Sequence, residues 1–162
     1  MADKACSDTG PILHLHEISQ SQLLKVFSKI FISGLINEEL LKYKIEKLPR
    51  NIELKPVNNG QVALLAEKFA LSTAEASALW MCECLKVPIL LTDDLDARQA
   101  AIDMGIKPVG TIGIIIRCFR EKIINEKEAV QILEGIYKNS SLFLTHSLIK
   151  YAISEIRRFR KK

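Results

Sequence analysis

The residues that could do chemistry in this chain are carboxylates: Asp8, Glu39, Glu75, Asp93 and Asp94. Asp8 closes a short strand-like run from Lys4 to Ser7, and Asp93 closes the apolar run that begins at Val87. Both therefore fall just past strand ends, where an open α/β sheet leaves its one uncovered crevice. Each could equally stabilise the N-terminus of the helix that follows. On the helix that carries Ile36, Leu40 and Tyr43, Glu39 lies about 60° from the centre of the apolar stripe, whereas Glu38 points to solvent. Glu75 lies at a similar angle to the face formed by Ala78, Leu79, Cys82 and Leu85, with Ser77 pointing away, and a capping box with Ser72 is its local alternative. Asp93 and Asp94 flank the packed face of Ala97, Ala100, Ala101 and Met104 by equal angles, so pattern leaves the choice between them open. Carboxylates gathered in one crevice repel each other and raise each other's pKa unless a cation sits among them. An all-oxygen set suits Mg²⁺ or Mn²⁺, ions that support hydrolysis of phosphodiesters.

Those acids need elements to bring them together, and the chain supplies short apolar runs alternating with segments of helical period. That is the pattern of βα units around a parallel sheet. The spacing predicts strands at Lys4–Ser7, Ile30–Ile32, Ile52–Leu54, Val87–Leu91 and Lys107–Val109. Helices are predicted from Pro11 onward, over Gly34–Lys44, Gln61–Phe69, from a Ser72 cap to Leu85, over Leu95–Met104, and from the Gly110–Gly113 turn to Arg120. Asn125 and Glu128 form a capping-box pattern for a helix reaching Tyr137, and the chain from Ser147 is helical again.

A length of 162 residues with 48% apolar and 26% charged residues fits one domain with its own core. No apolar run is long enough to span a bilayer and the start lacks the layout of a secretory signal, so the expected location is cytoplasmic. Cys6, Cys82, Cys84 and Cys118 form no metal-ligand spacing and read as small buried apolar residues. The formal charge of +4 is concentrated in the end, Arg157 to Lys162, leaving the body near neutral. His14 and His16 face about 200° apart on a helix and cannot chelate together, so structural or surface roles are expected of both, and of His146. Ser7 and Ser72 lack a nucleophile-elbow context. Lys25, Lys29, Lys42 and Lys44 could meet phosphate, although solvated helix faces explain them as well.

Three segments together resemble the PIN-domain family, particularly its prokaryotic VapC-type toxin nucleases. Ser7-Asp8-Thr9-Gly10-Pro11-Ile12 resembles the family's opening acid motif, and Ile36-Asn37-Glu38-Glu39-Leu40 its second-helix acid motif. Ser72 to Leu79 followed by Val87 to Arg98, with Thr92-Asp93-Asp94, resembles the third-acid helix and the strand after it. The order holds from Lys4 to Gly113. The resemblance implies a three-layer α/β/α sandwich with a five-stranded parallel sheet, one PIN-like domain over 1–162 with a helical region from about 123 to 162 appended. It implies metal ligands Asp8, Glu39, Glu75 and Asp93, with Asp94 as the alternative or additional acid, and supporting hydroxyls at Thr9 and Thr92. It further implies Mg²⁺ or Mn²⁺, RNA as substrate, an antitoxin partner and a homodimer. A departure is that the third acid is Glu rather than the commoner Asp. The alternative function is a non-catalytic PIN-fold module that binds RNA or protein.

Overall fold

Side chains alternate along the strands of the sheet, and that alternation builds two cores. The computed structural model describes residues 3–160, the side chain of Arg160 excepted. Its five strands, β1 (Lys4–Ser7), β2 (Lys29–Ile32), β3 (Ile52–Leu54), β4 (Ile89–Leu91) and β5 (Lys107–Val109), form one parallel sheet in the order β3-β2-β1-β4-β5. Ala5, Ile30, Ile32, Ile89 and Leu91 point to one face, while Cys6, Phe31 and Leu90 point to the other. A strand apolar on both sides must be covered on both sides. Helices α1 (Thr9–Glu17), α6 (Thr111–Arg120), α7 (Glu126–Asn139) and α8 (His146–Arg160) bury Ile12, Ile114, Leu133 and Ile156 in the first core. Helices α3 (Asn59–Phe69), α4 (Thr73–Leu85) and α5 (Leu95–Asp103) cover the second, which Leu79, Met81, Cys82 and Ala101 fill. Helix α2 (Gly34–Lys42) contacts both α1 and α4. The result is the expected three-layer α/β/α sandwich.

Local chemistry sets the element ends. Helix α1 begins at Thr9, two residues before the expected Pro11, because the Asp8 carboxylate caps it. Pro11 then occupies a first-turn position whose N–H would have no intrahelical partner. Helix α2 stops at Lys42 rather than Lys44, which sits in the left-handed region at φ +63°. Tyr43 is consequently 59% exposed instead of lying in the packed stripe, and Ile45 takes the buried place. Strand β4 starts at Ile89, since the Val87 N–H closes the end of α4 on the Cys82 carbonyl (3.0 Å) and Pro88 has no N–H to give. Helix α3 begins at Asn59 because Asn58 caps it, and the Asn125–Glu128 capping box forms as expected. A 3-10 helix at Ser21–Val26 has no counterpart in the sequence reading.

Helix α4 departs from the expected single buried face. Sheet, α2, α3 and α5 all pack on it, so Ser77 is fully buried, bonded to Ser33 Oγ (2.7 Å) and donating to the Ala74 carbonyl (2.6 Å), while Leu85 is exposed. Cys6, Cys82 and Cys118 are buried as expected, and Cys84 is exposed on the outer side of α4. Among the described residues no helix is long and apolar enough to cross a membrane. Of the basic end, Lys161 and Lys162 lie outside the described residues.

Candidate functional site

The order of strands reverses at β1, which has β2 on one side and β4 on the other. The crevice at the carboxyl ends of β1 and β4 is where such a sheet opens, and Asp8 stands at its base. The Asp8 N–H bonds the Leu91 carbonyl (2.9 Å), extending the β1–β4 ladder by one residue and fixing the backbone. Its Oδ1 accepts from the Thr9 N–H (2.8 Å) and its Oδ2 from the Thr92 hydroxyl (3.2 Å). Burial pushes the Asp8 carboxyl up to about 6 against the pull of those two bonds, and the charges of Glu39 and Asp94 add to the rise.

Glu39 comes from α2, whose Ser33 cap starts the helix at the end of β2. It is half-buried, with Glu38 exposed beside it, and its Oε2 accepts from the Thr9 hydroxyl. Thr9 thus joins the first two acids. Glu75 sits in the first turn of α4, where half of a capping box is built: Ser72 Oγ accepts from the Glu75 N–H (3.2 Å). Its carboxyl turns to the Ser72 side chain and to Asp94. Burial, then the proximity of Asp94 and the charge of Asp8, raise the Glu75 carboxyl to about 7, although its bond with Ser72 works the other way.

Adjacent in sequence, Asp93 and Asp94 occupy different environments. Both Asp93 oxygens are engaged: Oδ1 accepts from the Thr111 N–H (2.7 Å), and Oδ2 meets the Thr111 hydroxyl (2.5 Å) and His14 Nδ1 (2.7 Å). That carboxylate ties the end of β4 to the N-terminus of α6 and to α1, where it meets the positive end of the α6 dipole. Asp94 caps α5 through Oδ2 and the Ala97 N–H (2.8 Å), and it is the neighbour whose charge is felt by Asp8 and Glu75. The geometry therefore draws Asp8, Glu39, Glu75 and Asp94 into mutual interaction, while Asp93, which also lines the cleft, has both oxygens bonded to Thr111 and His14.

Two members of this network were not expected. His14 takes a structural role, buried and bonded to Asp93, a partner its own sequence neighbours do not reveal, while His16 and His146 are exposed. Thr111 is fully buried, in a turn that read only as a strand-to-helix connection. His14 stands one turn beyond Gly10 on α1, so its position beside the end of β4 follows from the helix period, but nothing local ties Thr111 to Asp93.

The acids line a cleft of about 530 Å³ that also takes in Lys42, Tyr43 and the Ser141–Phe143 segment. The ion pairs among the described residues leave Asp8, Glu39, Glu75 and Asp94 without any lysine or arginine partner, Lys29 pairing instead with Glu53. Hard oxygen donors that raise each other's pKa fit a small divalent cation in chemistry. Among the described residues, however, no group of three or more His, Cys, Asp or Glu side chains is already arranged to hold a metal ion. Glu39 commits one oxygen to Thr9 and Asp94 one to its cap, which leaves each carboxylate a second oxygen.

A parallel five-stranded sandwich with an acid-lined crevice at its switch point is an open α/β fold with its candidate site where such sheets take their ligands. A family model described as a PIN domain matches residues 4–158, nearly the whole chain, and the chain belongs to that family. No curated protein matches it.

Proposed function

We propose that this chain is a divalent-metal-dependent ribonuclease that hydrolyses RNA phosphodiesters, with Mg²⁺ or Mn²⁺ held by Asp8, Glu39, Glu75 and Asp94. The observation that carries the reading is a buried Asp8 whose carboxyl is pushed up to about 6 beside three further acids, none of them paired with a basic side chain. A bound divalent ion supplies a Lewis acid for the phosphoryl oxygen and lowers the pKa of a water. The protein's part is positional. Thr92 and the Thr9 N–H orient Asp8, the Thr9 hydroxyl orients Glu39, and Ser72 limits the swing of Glu75. Asp93, bridging Thr111 and His14, holds the strand end from which Asp94 projects. Lys42 at the rim offers a cation to the substrate phosphate. Work as the toxin of a cytoplasmic toxin–antitoxin pair, and as a homodimer, extends this reading along the resemblance to VapC-type nucleases.

The test uses purified protein stripped with EDTA and a labelled RNA. Cleavage on adding Mn²⁺, absent with EDTA and lost in Asp8→Asn with its circular dichroism unchanged, is the expected result. RNA binding without cleavage by the native protein under every divalent ion would sink the proposal and leave a binding module.

A further inference from the structure

Beside the acid cleft runs a second, larger groove of about 990 Å³, and the two share Asp93, Leu142 and Phe143. Phe143 is 90% exposed, yet its place is fixed. Leu142 and Leu144 on either side pack against the first core, so the segment alternates in, out, in. The preceding turn is pinned to α1, with the Ser141 N–H (3.0 Å) and hydroxyl (2.8 Å) both donating to Glu17 Oε1. An aromatic ring is thus held out at the junction of both grooves. Further along stands Tyr151, also exposed.

The charges of this groove are unevenly spent. Arg117 is used by Asp3 (2.5 Å) and Glu121 (2.9 Å), and Glu155 by Arg158 (2.8 Å). Arg98, Lys107 and Arg120 line the groove and have no acidic partner among the ion pairs of the described residues. Arg98 also donates to the Thr92 carbonyl (3.3 Å), next to the acids. Arg120 also lies over the Phe159 ring, 5.6 Å from its centroid, and cations without an acidic partner along a groove with exposed rings match a polyanion whose bases are unpaired, because phosphates meet the cations and a free base face meets the ring.

We infer that the α6–α8 groove is the track for a single nucleic-acid strand leaving the acid cleft, with Phe143 stacking the first base beyond it. This rests on the nuclease reading for its direction, since the strand enters from the acid cleft.

Binding is measured by fluorescence anisotropy of a labelled oligouridine in EDTA, where hydrolysis is off, using the full chain. Phe143→Ala, at an exposed position, raises Kd for the single strand about tenfold, the order expected when one base loses its platform. It leaves Kd for a duplex of matching length unchanged. Lys107→Gln with Arg120→Gln flattens the slope of log Kd against log salt by about 0.7 per charge removed. Native-like single-strand Kd in these variants overturns the inference, as does loss of self-association in Phe143→Ala with RNA binding intact, which would assign the face to a second copy. Cleavage of RNA by the variants at native KM keeps the nuclease and discards the track. Groove-dependent binding without Mn²⁺-dependent cleavage by the native protein does the reverse.

Discussion

Asp93 and Asp94 are separated by a single peptide bond and by their tasks. Asp93 has both oxygens committed to Thr111 and His14, whereas Asp94 keeps an edge toward Glu75 and Asp8. Asp94→Asn should therefore abolish Mn²⁺-dependent cleavage while barely moving the urea midpoint. Asp93→Ala should lower stability by about 2 kcal/mol, the cost of breaking charge-assisted bonds in a sheltered site. Urea titration and cleavage rates on the same two preparations check the split, and equal losses in both assays would reject it. From sequence the pair was symmetric about the α5 face. What distinguishes them is Thr111, 18 residues further along, and His14, 79 residues earlier, and no local period reports contacts of that span.

At the scale of elements, Gly110 is where two of them meet most tightly. A Cβ there would lie 2.7 Å from Asp93 Oδ1 and 3.1 Å from Arg98 Nη1. The arginine end can swing away, but the carboxylate is pinned by Thr111 and His14. Gly110→Ala is expected to cost about 1–3 kcal/mol through overpacking and to misplace the end of β4. A thermal melt with a matching Gly135→Ala control, whose Cβ would meet nothing within 4 Å, tests it. A Gly110→Ala melt no lower than that of the native protein would show that the turn has slack.

The strands, the order of helices and the Ser72 and Asn125 caps were legible because each depends on residues within one or two turns. So were Glu39 over Glu38 and the inward lean of Glu75. Ser77 was misplaced because a period identifies only the most apolar face and α4 is covered on several, whereas Tyr43 and Leu85 were misplaced because their helices end there. The 3-10 helix at Ser21–Val26 follows neither the period of a strand nor that of an α-helix.

Over the whole molecule, the acids set how stability responds to pH. Asp8 and Glu75 have folded-state carboxyls raised from 3.8 to about 6 and from 4.5 to about 7. A raised carboxyl means that the folded chain holds its proton more tightly than the unfolded chain. Stability is then full below the unfolded values and is lost as pH rises through the folded ones. The EDTA-treated protein should melt at falling temperature from about pH 4 to about pH 7. Mn²⁺ should recover the loss, and most strongly at the upper end, where the carboxylates are ionised. A melting temperature that climbs across this window in EDTA, or an ion effect independent of pH, would contradict the electrostatic account.

Strand β4 lies against β1 although Thr92 and Asp8 are 84 residues apart. The walls of the acid cleft are thus contributed by segments far apart in sequence, and a chain that stops short of β4 cannot assemble them.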